Sequence, residues 1–228
     1  MAITDDPERN ESRPKMHIID KHPQRRRSDE PQNGQDILTN LEGYWQTLRH
    51  AQRVPSRNDI EPRLIDDAIP HAFILQRVAP GIGRIRVAGQ RLHDLIKMDA
   101  RGMPISSFFA PEARDRLAKL VEAAFRDPAI ISIPLYIPGS FGRAAVTGTM
   151  LLLPLRDHTG ATSRILGAVV TEGDIGRKAR RFTIADNVPI RHDSIGPRLA
   201  SVTPLFQRSE LKKPDAGRPA LRLVVDNA

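Results

Sequence analysis

The segment Ile130–Glu172, IISIPLYIPGSFGRAAVTGTMLLLPLRDHTGATSRILGAVVTE, contains three apolar runs in succession and decides the fold class. The runs are Ile130–Ile137, Ala145–Leu155 and Arg164–Thr171. Glycine-containing turns at Gly139–Gly142 and Asp157–Gly160 separate them. Runs of this length, rich in β-branched residues and bounded by such turns, are typical of β-strands joined as hairpins. The segment therefore predicts three consecutive antiparallel strands.

Two details of these runs predict their places in the sheet. Pro134 has no backbone N–H to donate to a central ladder, so it places the first run at a sheet edge. The stretch Ile165–Val170 is apolar without alternation, which is typical of a strand that is central or covered on both faces. The third run is therefore predicted inside the sheet.

The chain before this segment predicts a hairpin and several helices. Ala72–Val78 and Gly83–Val87 are strand candidates, and Ala79–Gly81 supplies a tight turn between them. One helix begins near Asp36 and a longer one at Pro111. Two strands, then helices, then three strands predict an α+β fold with a five-stranded antiparallel sheet and flanking helices.

Composition divides the chain into three parts. Residues 1–35 are polar, charged and interrupted by proline, which predicts a disordered N-terminal tail. Residues 36–172 contain the predicted helices and strands and form the predicted domain. Residues 173–228 hold 11 Lys and Arg against six Asp and Glu, which is most of the net charge of +8. Their prolines and scattered apolar residues predict a basic, mostly disordered C-terminal tail.

Absences in the sequence exclude several classes of chemistry. The chain has no cysteine, so disulfides, thiolate metal sites and cysteine nucleophiles are excluded. No apolar run approaches the roughly 20 residues of a membrane span. The first residues, MAITDD, carry acids where a signal peptide would carry bases. A cytoplasmic protein without a membrane span is therefore expected.

The sequence assigns no catalytic, metal or cofactor residues. His93 lies on a predicted helix between Arg91 and Asp94, so a surface histidine explains it better than a haem ligand. No histidine pair has the spacing of a metal site on one helix. Asp66 and Asp67 point in different directions on a helix, and no nucleophile–base set is present. The protein is therefore predicted not to be an enzyme and to have no metal site, and its cofactors stay unassigned.

Three local patterns, in this order, resemble one family. They are LEGYW at 41–45 with VPSR at 54–57 and DIEP at 59–62, RVAG at 86–89 with Gly102, and LPL at 153–155 with RILGA at 164–168. Together they resemble the PAS-like regulators of the PAS_5 type, formerly a domain of unknown function and abundant in alphaproteobacteria. The resemblance implies a five-stranded antiparallel PAS sheet with helices on one side. It also implies a bacterial regulator in cell-cycle or stress signalling, and it transfers no cofactor residues.

The first predicted helix carries the candidate interaction face. Leu41, Tyr44, Trp45 and Leu48 recur on one side of this helix. The face either covers the sheet or pairs with a second copy of the chain. PAS domains commonly dimerise through a flanking N-terminal helix, so the resemblance implies a signalling protein or a second copy as the partner.

These observations predict a non-catalytic PAS-type sensory or regulatory protein. It is expected to act in trans on a signalling partner, because no kinase, cyclase or helix-turn-helix segment is evident. The alternative is a basic nucleic-acid-associated protein that acts through residues 173–228. Its sharpest feature is Arg177–Phe182, where four bases precede an aromatic residue. A solvated charge run explains this feature more simply, so nucleic acid is not the expected partner.

Overall fold

The computed structural model describes residues 33–49, 53–140 and 142–195, which form an α+β fold around one antiparallel sheet. The strands are β1 (Ala72–Ala79), β2 (Ile82–Ala88), β3 (Ala129–Ile137), β4 (Val146–Arg156), β5 (Thr162–Glu172), β6 (Thr183–Ile184) and β7 (Arg191–Ser194). The helices are α1 (Gly34–Thr47), α2 (Gln90–Ile96) and α3 (Arg114–Arg126), with short 3-10 helices at Arg57–Asp59, Pro62–Leu64, Ile69–His71, Ile105–Phe108 and Pro111–Ala113. None of these helices is long and apolar enough to cross a membrane. The predicted fold class is confirmed.

The sheet has seven strands in the described residues, so the predicted count of five is wrong. Its order is β2-β1-β5-β4-β3-β6, and β7 also pairs with β3. The prediction that β3 is an edge strand is also wrong, because β3 pairs with β4 on one side and with β6 and β7 on the other. Pro134 nevertheless fits, because it lies between the parts of β3 that pair with β6 and β7. The Pro134 carbonyl accepts the Ala185 N–H (3.0 Å) on the side of β3 that faces β6 and β7. The Pro134 nitrogen faces the same side, away from β4, so its missing N–H removes no hydrogen bond between β3 and β4.

Alternation along the strands gives the sheet two apolar faces. The inner face packs against α2 and α3, and the outer face packs against α1. Helices therefore lie on both sides of the sheet rather than on one. β5 lies in the middle of the sheet, with Ile165 and Val169 in the inner core and Leu166 and Val170 in the outer core. The apolar run of β5 is therefore unbroken because the strand is covered on both faces, as predicted.

The fold continues past Glu172, where the domain was predicted to end. Phe182 is fully buried in the inner core, and its ring centroid lies 6.0 Å from that of Phe109. The Phe182 N–H donates to the Phe108 carbonyl (2.8 Å), and the Phe182 carbonyl accepts from the Ala110 N–H (2.9 Å). One buried aromatic residue and two backbone hydrogen bonds therefore fix this segment to the domain.

The two predicted tails are only partly within the described residues. Residues 1–32 and 196–228 lie outside them, so their predicted disorder stays a prediction. Residues 173–195 supply β6, β7 and the buried Phe182. The prediction that all of 173–228 forms a tail is therefore wrong for residues 173–195, because they pack against β3 and the inner core.

Limited proteolysis is expected to leave a stable fragment close to residues 33–195. Early cuts should fall within 1–32 and 196–228, because their composition predicts too little apolar burial to offset the entropy of ordering. Mass spectrometry of the first stable fragment checks this. A fragment that ends near Glu172 would contradict the packing of Phe182.

Candidate functional site

The structure places the predicted interaction face of α1 mainly against the sheet. Leu41 and Trp45 are buried in the outer core. The Trp45 indole N–H donates to the Pro154 carbonyl at 3.0 Å. β3 pairs with β4 only as far as Leu152, so within the described residues no strand pairs with Pro154 on that side. The indole therefore satisfies a carbonyl that the sheet leaves free.

The other two predicted residues, Tyr44 and Leu48, are half-buried. The Tyr44 hydroxyl accepts from the Glu61 N–H at 2.8 Å and donates to the Asp59 carbonyl at 3.3 Å. These bonds fasten α1 to the turn that follows it. The face thus holds the helix on its own domain, and the binding of a partner or second copy to it stays a prediction.

On its solvent side, α1 is tied to the last strand. Arg191 of β7 pairs with Glu42 of α1 (Nη2–Oε1 2.6 Å) and with Asp193 (Nε–Oδ2 3.0 Å). The hydrogen bond to Glu42 raises the pKa of the Arg191 guanidinium above its usual value. This partly exposed pair contributes little stability by itself. It does, however, join α1 to β7, which are far apart in the sequence.

Beyond the N-terminal end of α1, the described residues leave the outer face uncovered, and a groove of about 920 Å³ lies there. We call it the outer groove. Its floor comes from neighbouring strands: Pro134 and Tyr136 of β3, Thr147 and Thr149 of β4, and Val170 and Glu172 of β5. Gln35 of α1 and residues 185–188 border it. The Tyr136 side chain is accessible there, since the residue is 37% exposed.

None of the groove residues was predicted as a site from the sequence, although β4 contains a pattern that marks it. The outward positions of β4 change from Thr147 and Thr149 to Leu151, Leu153 and Leu155. The leucines belong to the core beneath α1, and the threonines lie in the groove. A polar-to-apolar change at period 2 along one strand indicates a face that is only half covered.

The inner face, by contrast, is filled by apolar side chains. Phe73 and Gly167 pair across β1 and β5, and a Cβ at position 167 would lie 2.2 Å from the Phe73 Cζ. The ring therefore occupies the space directly above the sheet. The buried members of this core are all hydrophobic among the described residues. The inner face is consequently a packed core in this structure.

His93, the histidine considered as a haem ligand, lies beside this core. Its Nδ1 accepts the Ala100 N–H at 3.1 Å, and an Asp99 carboxylate oxygen lies 3.6 Å from the same atom. The imidazole thus closes the turn that follows α2, which is a structural role. No three His, Asp or Glu side chains are close enough to hold a metal ion in the described part of the chain.

His71 is expected to make the stability of the domain depend on pH. Its Nδ1 lies 3.1 Å from the Val169 carbonyl, and burial lowers its pKa. The folded state therefore favours neutral imidazole, so the stabilisation is present above the unfolded-state pKa of about 6.5 and is lost as the pH falls below it. His71→Asn, which keeps a donor for Val169, should lose less stability than the wild type on acidification. Urea unfolding at about pH 7 and about pH 5 measures this, and equal losses in both proteins would contradict it.

The basic run Arg177–Phe182 is partly used inside the fold. Phe182 is buried and is not available to stack on a nucleic-acid base. Arg180 donates to the carbonyls of Pro138 and Ala144, and Arg181 donates to the carbonyl of Ser107. The run therefore holds this segment in place, and the aromatic residue that favoured a nucleic-acid role serves the core instead.

The family model of the PAS domain, PAS_5, matches residues 35–170. The chain belongs to the PAS domain family. The match extends from α1 into β5, so this PAS domain includes both the α1 face and most of the outer groove. Membership of the family fits a sensory or signalling role, since PAS domains are generally sensory rather than catalytic.

Solved structures similar to this PAS domain include light-oxygen-voltage (LOV) domains. One comes from work on a flavin analogue and the LOV domain mechanism; it is 17% identical, with a TM-score of 0.36, over 49% of this chain and 84% of that chain. The dark structure of the blue-light photoreceptor Aureochrome1 LOV is also 17% identical, with a TM-score of 0.36, over 54% of this chain and 90% of that chain. No curated protein matches the sequence.

Proposed function

We propose that this PAS protein is a non-catalytic cytoplasmic regulator that acts in trans on a signalling protein, with α1 and the outer groove as the binding surface. Its family supports a signalling role. The observation that carries the proposal is that, within the described residues, α1 covers one part of the outer face and leaves a groove beside it. α1 is held over one part of the sheet by Trp45 and Tyr44, and the groove opens beside its first turn. A partner seated there contacts the helix and the sheet together.

The outer groove has the mixed chemistry of a protein-binding surface. Tyr136 offers an aromatic ring, and aromatic residues are enriched at the energetic centres of interfaces. Thr147 and Thr149 add hydroxyl groups, and Glu172 adds a carboxylate. A volume of about 920 Å³ accommodates several side chains of a partner. These groups together favour a polypeptide that inserts a few side chains.

A change in the inner core reaches this surface along the strands. Met150 and Val169 belong to the inner core, and their chain neighbours Thr149 and Val170 line the outer groove. Because successive strand residues face opposite sides of the sheet, a shift of β4 or β5 moves both faces together. Repacking of the inner core would therefore alter the groove, which is the mechanism that we propose for signal transfer.

Tyr136→Arg tests the binding surface. The tagged wild-type chain, Tyr136→Arg and the control Met98→Arg are each used to capture proteins from native cells, with quantitative mass spectrometry. Met98 is 57% exposed and does not line the outer groove. A protein bound through the groove should be recovered at least about fivefold less with Tyr136→Arg and equally with Met98→Arg, because an interface anchor contributes about 2 kcal/mol or more.

Sedimentation of the purified proteins separates binding in trans from self-association. A wild-type dimer that becomes monomeric in Tyr136→Arg would make a second copy the partner. Equal recovery of every captured protein by the wild type and Tyr136→Arg would refute the proposed surface.

A further inference from the structure

A second concave site lies on the outer face, on the β1–β2 side and away from the outer groove. It has a volume of about 360 Å³ and lies between the 3-10 helix Arg57–Asp59 and the β4–β5 turn. Three arginines line it, Arg57, Arg86 and Arg164. We call it the arginine pocket. Its arginines come from a turn, an edge strand and a central strand, so the fold brings together charges that are distant in sequence.

In the part of the chain that the structure describes, these charges have no acidic partner of their own. Within the described residues, the side chains of Arg57 and Arg164 form no ion pair and no hydrogen bond. Arg86 donates from Nε to the neutral Gln76 amide oxygen (2.6 Å), which leaves its charge uncompensated. Positive charges that line the same pocket repel one another. An anion in the pocket would remove this cost.

The carboxylate of Asp157, which also lines the pocket, is engaged by its own turn. Its oxygens accept from the Ser163 hydroxyl, from both the N–H and the hydroxyl of Thr159, and from the Ala161 N–H. These donors hold the pKa of Asp157 well below its usual range. The carboxylate thus shapes the rim of the pocket by ordering the turn, and none of the three arginines pairs with it.

Opposite that turn, the other rim is also ordered. The Ser56 side chain accepts the Asn58 N–H, and the Asp59 carboxylate accepts the Ser56 N–H at 2.8 Å. This capping box fixes the 3-10 helix that carries Arg57. These two ordered turns fix the backbone that carries Arg57 and borders Arg164, so the loops lose little entropy when a ligand binds.

Between the arginines, the pocket has an apolar part. Ile74 and Val87 pair across β1 and β2 and line it, and Val87 is 51% exposed. A small inorganic anion would leave this surface in water. A peptide that carries Asp or Glu beside an apolar side chain would satisfy the guanidinium groups and also cover Val87.

We propose that the arginine pocket binds an acidic peptide segment of a partner protein in which an apolar side chain neighbours the acidic ones. Guanidinium groups pair with carboxylates through two parallel hydrogen bonds, which gives such a site specificity as well as attraction. The arginine pocket and the outer groove share no lining residue. The proposal therefore stands or falls independently of the outer groove.

The test measures the binding of a short fluorescein-labelled peptide of Glu and Leu residues to the full chain by fluorescence anisotropy. Arg164→Glu and Arg57→Glu should each weaken binding at least about tenfold, because each removes an attraction and adds a repulsion. Lys119→Glu makes the same change in net charge at an exposed site on α3, on the other side of the sheet. It should change the dissociation constant by no more than about twofold. Tyr136→Arg in the outer groove should leave this binding unchanged.

Several outcomes would overturn the proposal. Equal weakening by Arg164→Glu, Arg57→Glu and Lys119→Glu would mean attraction by net charge alone. Equal binding of a peptide with Gln in place of Glu would remove the role of the arginines. Displacement of the peptide by inorganic phosphate, at an ionic strength matched with chloride, would make the pocket a simple anion site. Melting curves confirm folding, and Arg57→Glu, on an exposed turn, carries the test if Arg164→Glu is unfolded.

Discussion

Trp45→Ala is expected to lower the free energy of unfolding by about 3–5 kcal/mol, the range for truncating a large buried aromatic residue. Trp45 is fully buried between α1 and the sheet, and its indole N–H satisfies the Pro154 carbonyl. The substitution creates a cavity and leaves that carbonyl without its donor. Urea unfolding of the purified chain measures the loss. A variant with unchanged stability would mean that α1 does not cover the sheet.

Two further variants separate the parts of this effect. Trp45→Phe keeps an aromatic ring but loses the hydrogen bond, so it should cost about 1–3 kcal/mol, the usual penalty of an unsatisfied buried group. Gln46→Ala, at the exposed neighbouring position, should stay within about 0.5 kcal/mol of the wild type. Equal losses for Trp45→Ala and Gln46→Ala would indicate a general loss of helix rather than a lost contact.

Phe182→Ala is expected to have a comparable effect, about 3–5 kcal/mol, although Phe182 lies beyond the predicted end of the domain. Its ring is fully buried against Phe109 in the inner core. Its backbone is hydrogen-bonded to Phe108 and Ala110, and β6 begins at the next residue. The variant should therefore unfold at a lower urea concentration. It should also become sensitive to protease within residues 173–195.

The control for this prediction is Lys178→Ala, at an exposed position in the same segment. It should change neither stability nor the protease pattern by a measurable amount. If Phe182→Ala behaved like Lys178→Ala, residues 173–195 would not belong to the cooperative fold.

The five long strands could be predicted because their patterns are local. Each is a run of apolar or alternating residues that ends at a turn containing glycine or proline. β6 and β7 carry no such pattern. β6 has two residues, and all four residues of β7, Arg191–Ser194, are exposed. They form because the free edge of β3 offers unpaired backbone groups, which is a property of the folded sheet and not of their own sequence.

The candidate site could be predicted only in part, for a related reason. Helical spacing identified the apolar face of α1, but spacing does not determine which surface an apolar face meets. The fold decides this, since the Pro154 carbonyl is free only because β3 stops pairing before it. The outer groove and the arginine pocket depend on registers between strands, for example Arg164 beside Gln76, that a single segment does not contain.

α1 is the element on which this account of the PAS domain depends. It covers one part of the outer face, borders the outer groove and joins β7 through Glu42 and Arg191. The partner that we propose for the groove would therefore contact a helix that is joined to β7. If α1 left the sheet, it would expose an apolar surface and remove one border of the groove.

Hydrogen–deuterium exchange on the full chain tests this central claim most directly. The backbone amides of α1 in Gly34–Thr47 should exchange about as slowly as those of α3 in Arg114–Arg126, because both helices are held by buried apolar faces. In Trp45→Ala, the protection of the α1 amides should fall by more than the protection of the α3 amides. Exchange of α1 within seconds, beside a protected α3, would show that the helix is not seated on the sheet and would contradict the proposed binding surface.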